Sequence, residues 1–473
     1  MPLPPDTDPA IRHHEQLLAR EPNNAVGHFN LALLYKNARR YEDAVTSYLR
    51  SVEFGIDHVE EVYSNLGVLY SEMRQPQRAR EMYEKSLALV PRYIPALFNL
   101  AGLLEEQGQR EQAVDLFERI LTIDPQYWDA LSRLANAQRI VSTDDPLIES
   151  LRAAVAAAGN DPAAQEGLLF ALGKVLDDVG SYGEAFEAYR QANELGRRLR
   201  GRYDPQRAER GIASMLARFD ENWLSQAETS GTASPIFICG MYRSGSTLVE
   251  QILSAHASVQ MGGELDVLPW LLNERLQPFP QRLAEITPAE LSAIADEYMS
   301  KLQALFPGAA HVTDKRPDNV LHLGLIRAMF PAARIVLTRR ELRDNCLSIY
   351  FQQLGAQLNY ATDLADTAHY YRLQERLLER WHALLGENIF TVDYDELVRD
   401  PEPVLRALLE FLGLPWDKAC LEFQQARSQV KTASVWQVRE PLHTRSSGRW
   451  QNYRPYIEAI DALREQGESN ESS

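Results

Sequence analysis

Residues 236–253 read IFICGMYRSGSTLVEQIL. The run Ile236-Phe237-Ile238 has the length and apolarity of a buried strand, and Leu248, Val249, Ile252 and Leu253 recur at the spacing of one helical face. Between them lies a turn rich in small polar residues. A strand, a glycine-bearing turn and a helix in that order aim backbone N–H groups at the helix N-terminus, where anions bind. Gly240, Gly245 and Thr247 keep the spacing of the phosphate loop GxxxxGK[ST], but Ser246 stands where the lysine belongs. In a triphosphatase that lysine neutralises the β- and γ-phosphates, and the adjacent hydroxyl holds magnesium. Here the anion cradle remains, supplemented by Arg243 and the hydroxyls of Ser244, Ser246 and Thr247. The loop is expected to hold a phosphate without a metal-bridged triphosphate.

Downstream, short apolar runs alternate with helical periodicity. Ile335-Val336-Leu337 precedes a helix through Leu347, and Ile389-Phe390-Thr391-Val392 precedes a helix of residues 401–412, read with Asp400 as N-cap, Pro401 in the first turn and Gly413 as C-cap. This alternation predicts a parallel sheet covered by helices. Arg339 and Arg340 then fall at the carboxyl edge of a strand, where open α/β sheets bind ligands, and Arg343 and Ser348 on the next helix. Upstream, the polar stretch from Ser225 to Ser234 reads as a linker.

Before residue 140 the chain repeats itself. Leu31-Ala32, Leu66-Gly67, Leu100-Ala101 and Leu134-Ala135 recur every 34 or 35 residues, in step with Ala44, Ala79 and Ala113, and with Tyr48, Tyr83 and Phe117. Small residues let antiparallel helices approach, and an aromatic fills the space beside the neighbouring unit. This pattern resembles the tetratricopeptide repeat, a helix-turn-helix unit. The register slips after Arg139, yet Leu172, Gly173, Leu176, Ala185, Tyr189 and Ala192 reproduce the order as a degenerate closing repeat. The aromatics are expected to be core, and any partner to lie on the inner face of the superhelix.

The whole chain of 473 residues carries 49 Lys+Arg against 66 Asp+Glu, a formal charge of -17, which opposes non-specific attraction to nucleic acid or anionic membrane. Positive charge for an anion must therefore be local. Three widely spaced cysteines, Cys239, Cys346 and Cys420, make neither a disulfide framework nor a zinc site. The N-terminal residues lack a signal pattern and no long apolar run occurs, so a cytoplasmic protein without a membrane anchor is expected. Tandem His13-His14 reads as a solvated helix face, and no metal is expected.

The second half resembles the sulfotransferases that use 3′-phosphoadenosine-5′-phosphosulfate (PAPS) as donor. Within them it is similar to bacterial proteins that fuse tetratricopeptide repeats to such a domain, relatives of the protein-tyrosine sulfotransferases. The resemblance rests on the loop above and on four further stretches: 260–271 (QMGGELDVLPWL), 313–326 (TDKRPDNVLHLGLI), 330–351 (FPAARIVLTRRELRDNCLSIYF) and 434–453 (SVWQVREPLHTRSSGRWQNY). It implies that Arg243, Ser244, Gly245, Ser246 and Thr247 hold the 5′-phosphosulfate, and that Arg340 and Ser348 hold the 3′-phosphate. It further implies that Glu264 activates the acceptor, that Lys315 acts near the sulfuryl group, and that Ser434 and Arg449 belong to a C-terminal loop closing over the donor. Arg449 stands where the tyrosine enzymes have lysine.

The fold expected is therefore α plus α/β: a tetratricopeptide-repeat superhelix over residues 8–200, a helical connector and linker over 201–232, a P-loop-like parallel-sheet sulfotransferase domain over 233–460, and a disordered tail over 461–473. The reaction expected is in-line sulfuryl transfer from PAPS to a hydroxyl acceptor, a protein tyrosine among the candidates, with Glu264 as general base and with Lys315 and Arg243 as catalytic cations. The repeats are expected to bind a peptide or protein acceptor. Rival groups are His256, read as a protonated imidazole at a helix C-terminus, Asp266, and Asp314, read as orienting Lys315 or a turn. A different class remains open: an interaction scaffold whose second domain binds nucleotide but is catalytically silent. A P-loop kinase or triphosphatase is disfavoured by Ser246.

Overall fold

A computed structural model describes residues 8–227, 229, 231, 234–425, 436 and 439–462. The chain divides into two compact units, residues 1–139 and 140–473.

The first unit is built of helices Pro9–Arg20, Ala25–Asn37, Tyr41–Glu53, Val59–Glu72, Pro76–Leu89, Ile94–Glu106, Arg110–Ile123 and Trp128–Ala137. Gly67 shows why the small residues recur: a Cβ there would collide with the ring of Tyr83. Tyr48 and Phe117, at equivalent places, are fully buried, as expected of inter-helix core. The turns between paired helices repeat as well. Arg39, Arg74 and Gly108 all take positive φ, 58°, 57° and 75°. A left-handed residue is thus part of the repeat geometry even where the sequence places arginine.

The second unit begins with helices. Pro146–Ala157, Pro162–Asp178, Tyr182–Arg200, Pro205–Arg218 and Glu221–Ala227 precede the sheet. Within them Gly173 packs under Tyr189 as Gly67 does under Tyr83, so the degenerate repeat keeps its packing rule inside this unit. Five strands follow: β1 (Ile236–Gly240), β2 (Val259–Gln260), β3 (His311–Lys315), β4 (Arg334–Arg339) and β5 (Ile389–Asp393). Their order is β2-β3-β1-β4-β5, with every pairing parallel. Alternate strand residues feed opposite layers, because successive side chains point to opposite faces. Phe237, Cys239, Ile335 and Leu337 join Tyr298, Phe330 and Trp381 on one side. Ile236, Ile238, Val336 and Val392 meet Leu248, Ile252 and Leu253 of helix Ser246–Ser254 and Leu405, Leu408 and Leu409 of helix Pro401–Leu412 on the other.

Two local expectations change. Asp400 stands at the N-cap position of helix Pro401–Leu412, as expected, but its side chain makes no capping bond, and its backbone amide closes the preceding helix Tyr394–Arg399. Burial of three leucines, each contributing about 1.5–3 kcal/mol, holds this helix instead. Asp461, placed by sequence in a disordered tail, accepts a hydrogen bond from Arg343 Nε at 2.6 Å. The remainder of that tail, 463–473, lies outside the described residues.

Candidate active site

The carboxyl ends of β1, β3 and β4 open onto a cavity of about 350 Å³. Strand β1 runs into the loop 241–245, in which Arg243 takes the left-handed conformation (φ 67°), and helix Ser246–Ser254 starts directly behind it. Arg243, Gly245, Ser246 and Thr247 line the cavity, as do Glu264, Arg340, Ser348 and Arg449. Eight positions proposed from sequence as site residues thus share one wall system, although they come from segments spread over some 200 residues of chain.

The arginines are held individually. Arg243 Nε donates to Ser348 Oγ at 3.1 Å. Arg340 Nη1 donates to the Arg243 carbonyl at 3.3 Å, Nη2 to the Ser446 carbonyl, and the guanidinium lies over the Tyr394 ring, 4.8 Å from its centre. Its buried Nε has no hydrogen-bond partner among the described residues. Arg449 forms an ion pair with Asp177 at 2.7 Å and lies 5.0 Å from the centre of the Phe351 ring. Three cations around one cavity repel one another. Burial first, then Arg340 and, against the opposing effect of Tyr394, Arg449 pull the Arg243 guanidinium down to about 10. An anion relieves this strain, and a donor nucleotide with two phosphate-bearing ends fits such a donor set.

Glu264 and Lys315 meet directly. Lys315 Nζ donates to Glu264 Oε1 at 2.6 Å. The lysine, at the end of β3, is 1% exposed and does not itself line the cavity, whereas the Glu264 side chain is 41% exposed. The lysine amide also donates to the Gly263 carbonyl at 3.0 Å, fastening the turn that carries Glu264 to the strand that carries Lys315.

Ser244 departs from its expected role. Its hydroxyl donates to the Met241 carbonyl at 2.6 Å and pairs with Thr338 Oγ1 at 2.7 Å, so it braces the loop against β4 rather than facing the cavity. Ser434 lies outside the described residues. Among the rival groups, His256 is buried away from the cavity, its Nδ1 3.1 Å from the Ser258 amide and its Nε2 3.0 Å from the Pro415 carbonyl. Asp266 pairs with Arg316 at 3.2 Å. Asp314 does not orient Lys315: it accepts from Tyr298 Oη at 2.6 Å and Asn319 Nδ2 at 3.3 Å, and burial, outweighing these bonds and Arg316, raises its carboxyl to about 7. Arg339 pairs with Glu375 at 2.6 Å, and Arg343 with Asp461.

Sequence reasoning passed over four groups. Fully buried Glu250, on the helix behind the loop, accepts through Oε1 from the Gly263 amide at 2.8 Å and from Thr313 Oγ1 at 2.6 Å. Thr313 in turn accepts from the Gly262 amide at 2.9 Å. Burial raises the Glu250 carboxyl above its ordinary value, against the pull of nearby Lys315. This network fixes the Gly262-Gly263-Glu264 turn. Asp344 accepts from the Gly448 and Trp450 amides at 2.5 and 2.7 Å, tying down the segment that bears Ser446 and Arg449. Tyr394 follows β5 directly, a position where the sequence signal is only an aromatic after a strand. Asp177 has no local signal, since it lies far from Arg449 in the chain. Among the described residues no cluster of three or more His, Cys, Asp or Glu is arranged to hold a metal ion, and no helix among them is long and apolar enough to cross a membrane.

A phosphate-type loop at the switch of a parallel α/β sheet, following helical repeats in the sequence, defines the class of this chain. Residues 235–418 match the sulfotransferase family, and residues 23–92 and 71–135 match the tetratricopeptide repeat. The chain is 32% identical over 313 residues to an uncharacterized protein of Aquifex aeolicus (strain VF5), covering 63% of this chain and 41% of that one. It is 27% identical over 238 residues to protein-tyrosine sulfotransferase A of Caenorhabditis elegans, covering 46% and 61%, and 25% identical over 278 residues to protein-tyrosine sulfotransferase 1 of Mus musculus, covering 55% and 74%. The first two matches thus span less than two thirds of those relatives. The chain carries tetratricopeptide repeats followed by a sulfotransferase-family domain.

Proposed function

We propose that the chain is a sulfotransferase that moves a sulfuryl group from PAPS to a hydroxyl acceptor, with a protein tyrosine as the acceptor its named relatives favour and the repeats as the place where a peptide or protein acceptor docks. The observation that carries this reading is the Glu264–Lys315 pair at 2.6 Å beside a cavity ringed by Arg243, Arg340 and Arg449. The donor, when bound, supplies an activated sulfuryl group. Arg340 and Ser348 are assigned to its 3′-phosphate, and Arg243, Gly245, Ser246 and Thr247 to the 5′ end, with Arg449 closing the cavity. Glu264 accepts the proton of the incoming hydroxyl, because it is the wall carboxylate held beside Lys315. Lys315, delivered to Glu264 Oε1, shifts to the negative charge that builds on the leaving oxygen, and Arg243 shares the equatorial charge. The residue bounds 8–200, 201–232 and 233–460 are kept as the proposed functional division. Two measurements test the reading on the full chain. Adenosine 3′,5′-bisphosphate should bind equally well with magnesium and with a chelator, and Glu264→Gln should lower transfer of labelled sulfate about 10²–10⁴-fold while the bisphosphate still binds. Nucleotide binding that requires magnesium, or full transfer by Glu264→Gln, overturns it.

A further inference from the structure

Helices Pro162–Asp178 and Tyr182–Arg200 form a hairpin ahead of the sheet and carry the last, degenerate repeat. Its packing partners adjoin the segments that carry Ser348 and Arg449 to the donor cavity. The Tyr189 ring stacks on Phe351 with centres 4.1 Å apart, and Phe186 stacks on Tyr456 at 4.5 Å. Phe351 follows the helix that presents Ser348, and its ring faces the Arg449 guanidinium. At the end of the first hairpin helix, Asp177 Oδ2 meets Arg449 Nη2 at 2.7 Å, while Oδ1 accepts from Tyr453 Oη. The Asp177 and Arg449 side chains are 18% and 27% exposed, so this is an enclosed pair rather than a surface contact.

An arginine free to rotate has many rotamers to lose, and here it also faces two like charges across the cavity. The Asp177 carboxylate opposes both tendencies. It neutralises the third cation while the cavity holds no anion, and it fixes the guanidinium against the Phe351 ring. We propose that Asp177 is a positioning residue of the donor site: it holds Arg449 on the cavity wall, which makes the repeat-like hairpin a working part of the transfer unit. This rests on the donor reading given above, and it adds a contribution from a segment that the sequence assigns to the repeats.

The test is calorimetric titration of the full chain with adenosine 3′,5′-bisphosphate. Asp177→Asn keeps an oxygen for Tyr453 and removes the charge opposite Arg449. It should weaken binding about tenfold, as should Arg449→Gln, each losing the equivalent of one charge-assisted bond. Because both act through one guanidinium, the double variant should bind about tenfold, not a hundredfold, more weakly than wild type. Tyr453→Phe breaks the other bond of the same carboxylate, so it should lower the melting temperature yet leave the bisphosphate Kd within about twofold of wild type. Asp177→Asn binding like wild type, multiplicative losses in the double variant, or an equal loss in Tyr453→Phe overturns the assignment. A wild-type chain that binds no bisphosphate overturns the donor reading as well, whereas wild-type binding with Asp177→Asn unchanged removes the role of Asp177 alone.

Discussion

Asp314→Asn isolates the electrostatics of the buried carboxyl on the face of β3 opposite Lys315. Asp314 is fully buried and its carboxyl is raised to about 7, burial being the largest cause, while an aspartate in the unfolded chain titrates near 3.9. Between those two values the folded state keeps a proton that the unfolded state has released. Stability from this group is therefore complete below about pH 4, falls by up to about 1.4 kcal/mol for each pH step, and is fully lost above about pH 7, a total of at most about 4 kcal/mol. Asparagine keeps an oxygen and a donor on the same frame beside Tyr298 and Asn319, and it cannot ionise. The stability difference between variant and wild type should thus move in favour of the variant by about 2–4 kcal/mol from pH 4.5 to pH 7.5. Urea unfolding followed by tryptophan emission, at four pH values in that range, gives the difference directly, since Trp381 belongs to the same buried layer as Tyr298. A difference that stays constant with pH refutes the claim that Asp314 is held protonated by its surroundings.

Arg243→Asn relieves repulsion among three cations and suits the left-handed backbone at that position, at the loss of the bond to Ser348. The variant without nucleotide should melt about 1–2 °C higher than wild type, whereas saturating adenosine 3′,5′-bisphosphate should raise its melting temperature far less than the wild type's, so that the order reverses when nucleotide is added. A lower melting temperature with an intact nucleotide effect would count against an anion cradle at residue 243. Gly262→Ala should destabilise the second unit by about 1–3 kcal/mol, because the added methyl meets the Thr313 carbonyl, and should abolish transfer by displacing the Glu264 turn. Unaltered transfer in that variant would show the turn to be dispensable.

The parts of the fold legible in the sequence were those with a local period. The loop 240–247, the runs at 236, 335 and 389, and the repeated small-then-aromatic order all announce themselves within a few residues of chain. The convergence of Arg243, Glu264, Arg340, Ser348 and Arg449 on one cavity was legible only through resemblance, since nothing local joins segments so far apart. What stayed hidden depends on neighbours supplied by other elements. The Ser244 hydroxyl reads as a phosphate donor until β4 brings Thr338 beside it. Glu250 looks like a polar residue on an amphipathic helix, yet the Gly262-Gly263 turn and Thr313 cover it completely. His256 reads as a helix-end imidazole, but Pro415, brought in by another segment, and Ser258 enclose its ring. The compact units divide at Arg139, where the repeat register slips, and the helices from 146 onward fall with the sheet.

The three thiols have a practical consequence. Cys239, Cys346 and Cys420 are all fully buried, and burial pushes Cys239 and Cys346 far up and Cys420 to about 11. Neither nucleophilic character nor access favours alkylation of the folded chain. A single cysteine installed at Val141, which is 85% exposed, would then be the only quickly reacting handle for a fluorophore or spin label, with no need to strip native thiols first. Slow modification of Cys239 in the same sample would time the rare openings of the central strand, giving each labelling run its own internal clock.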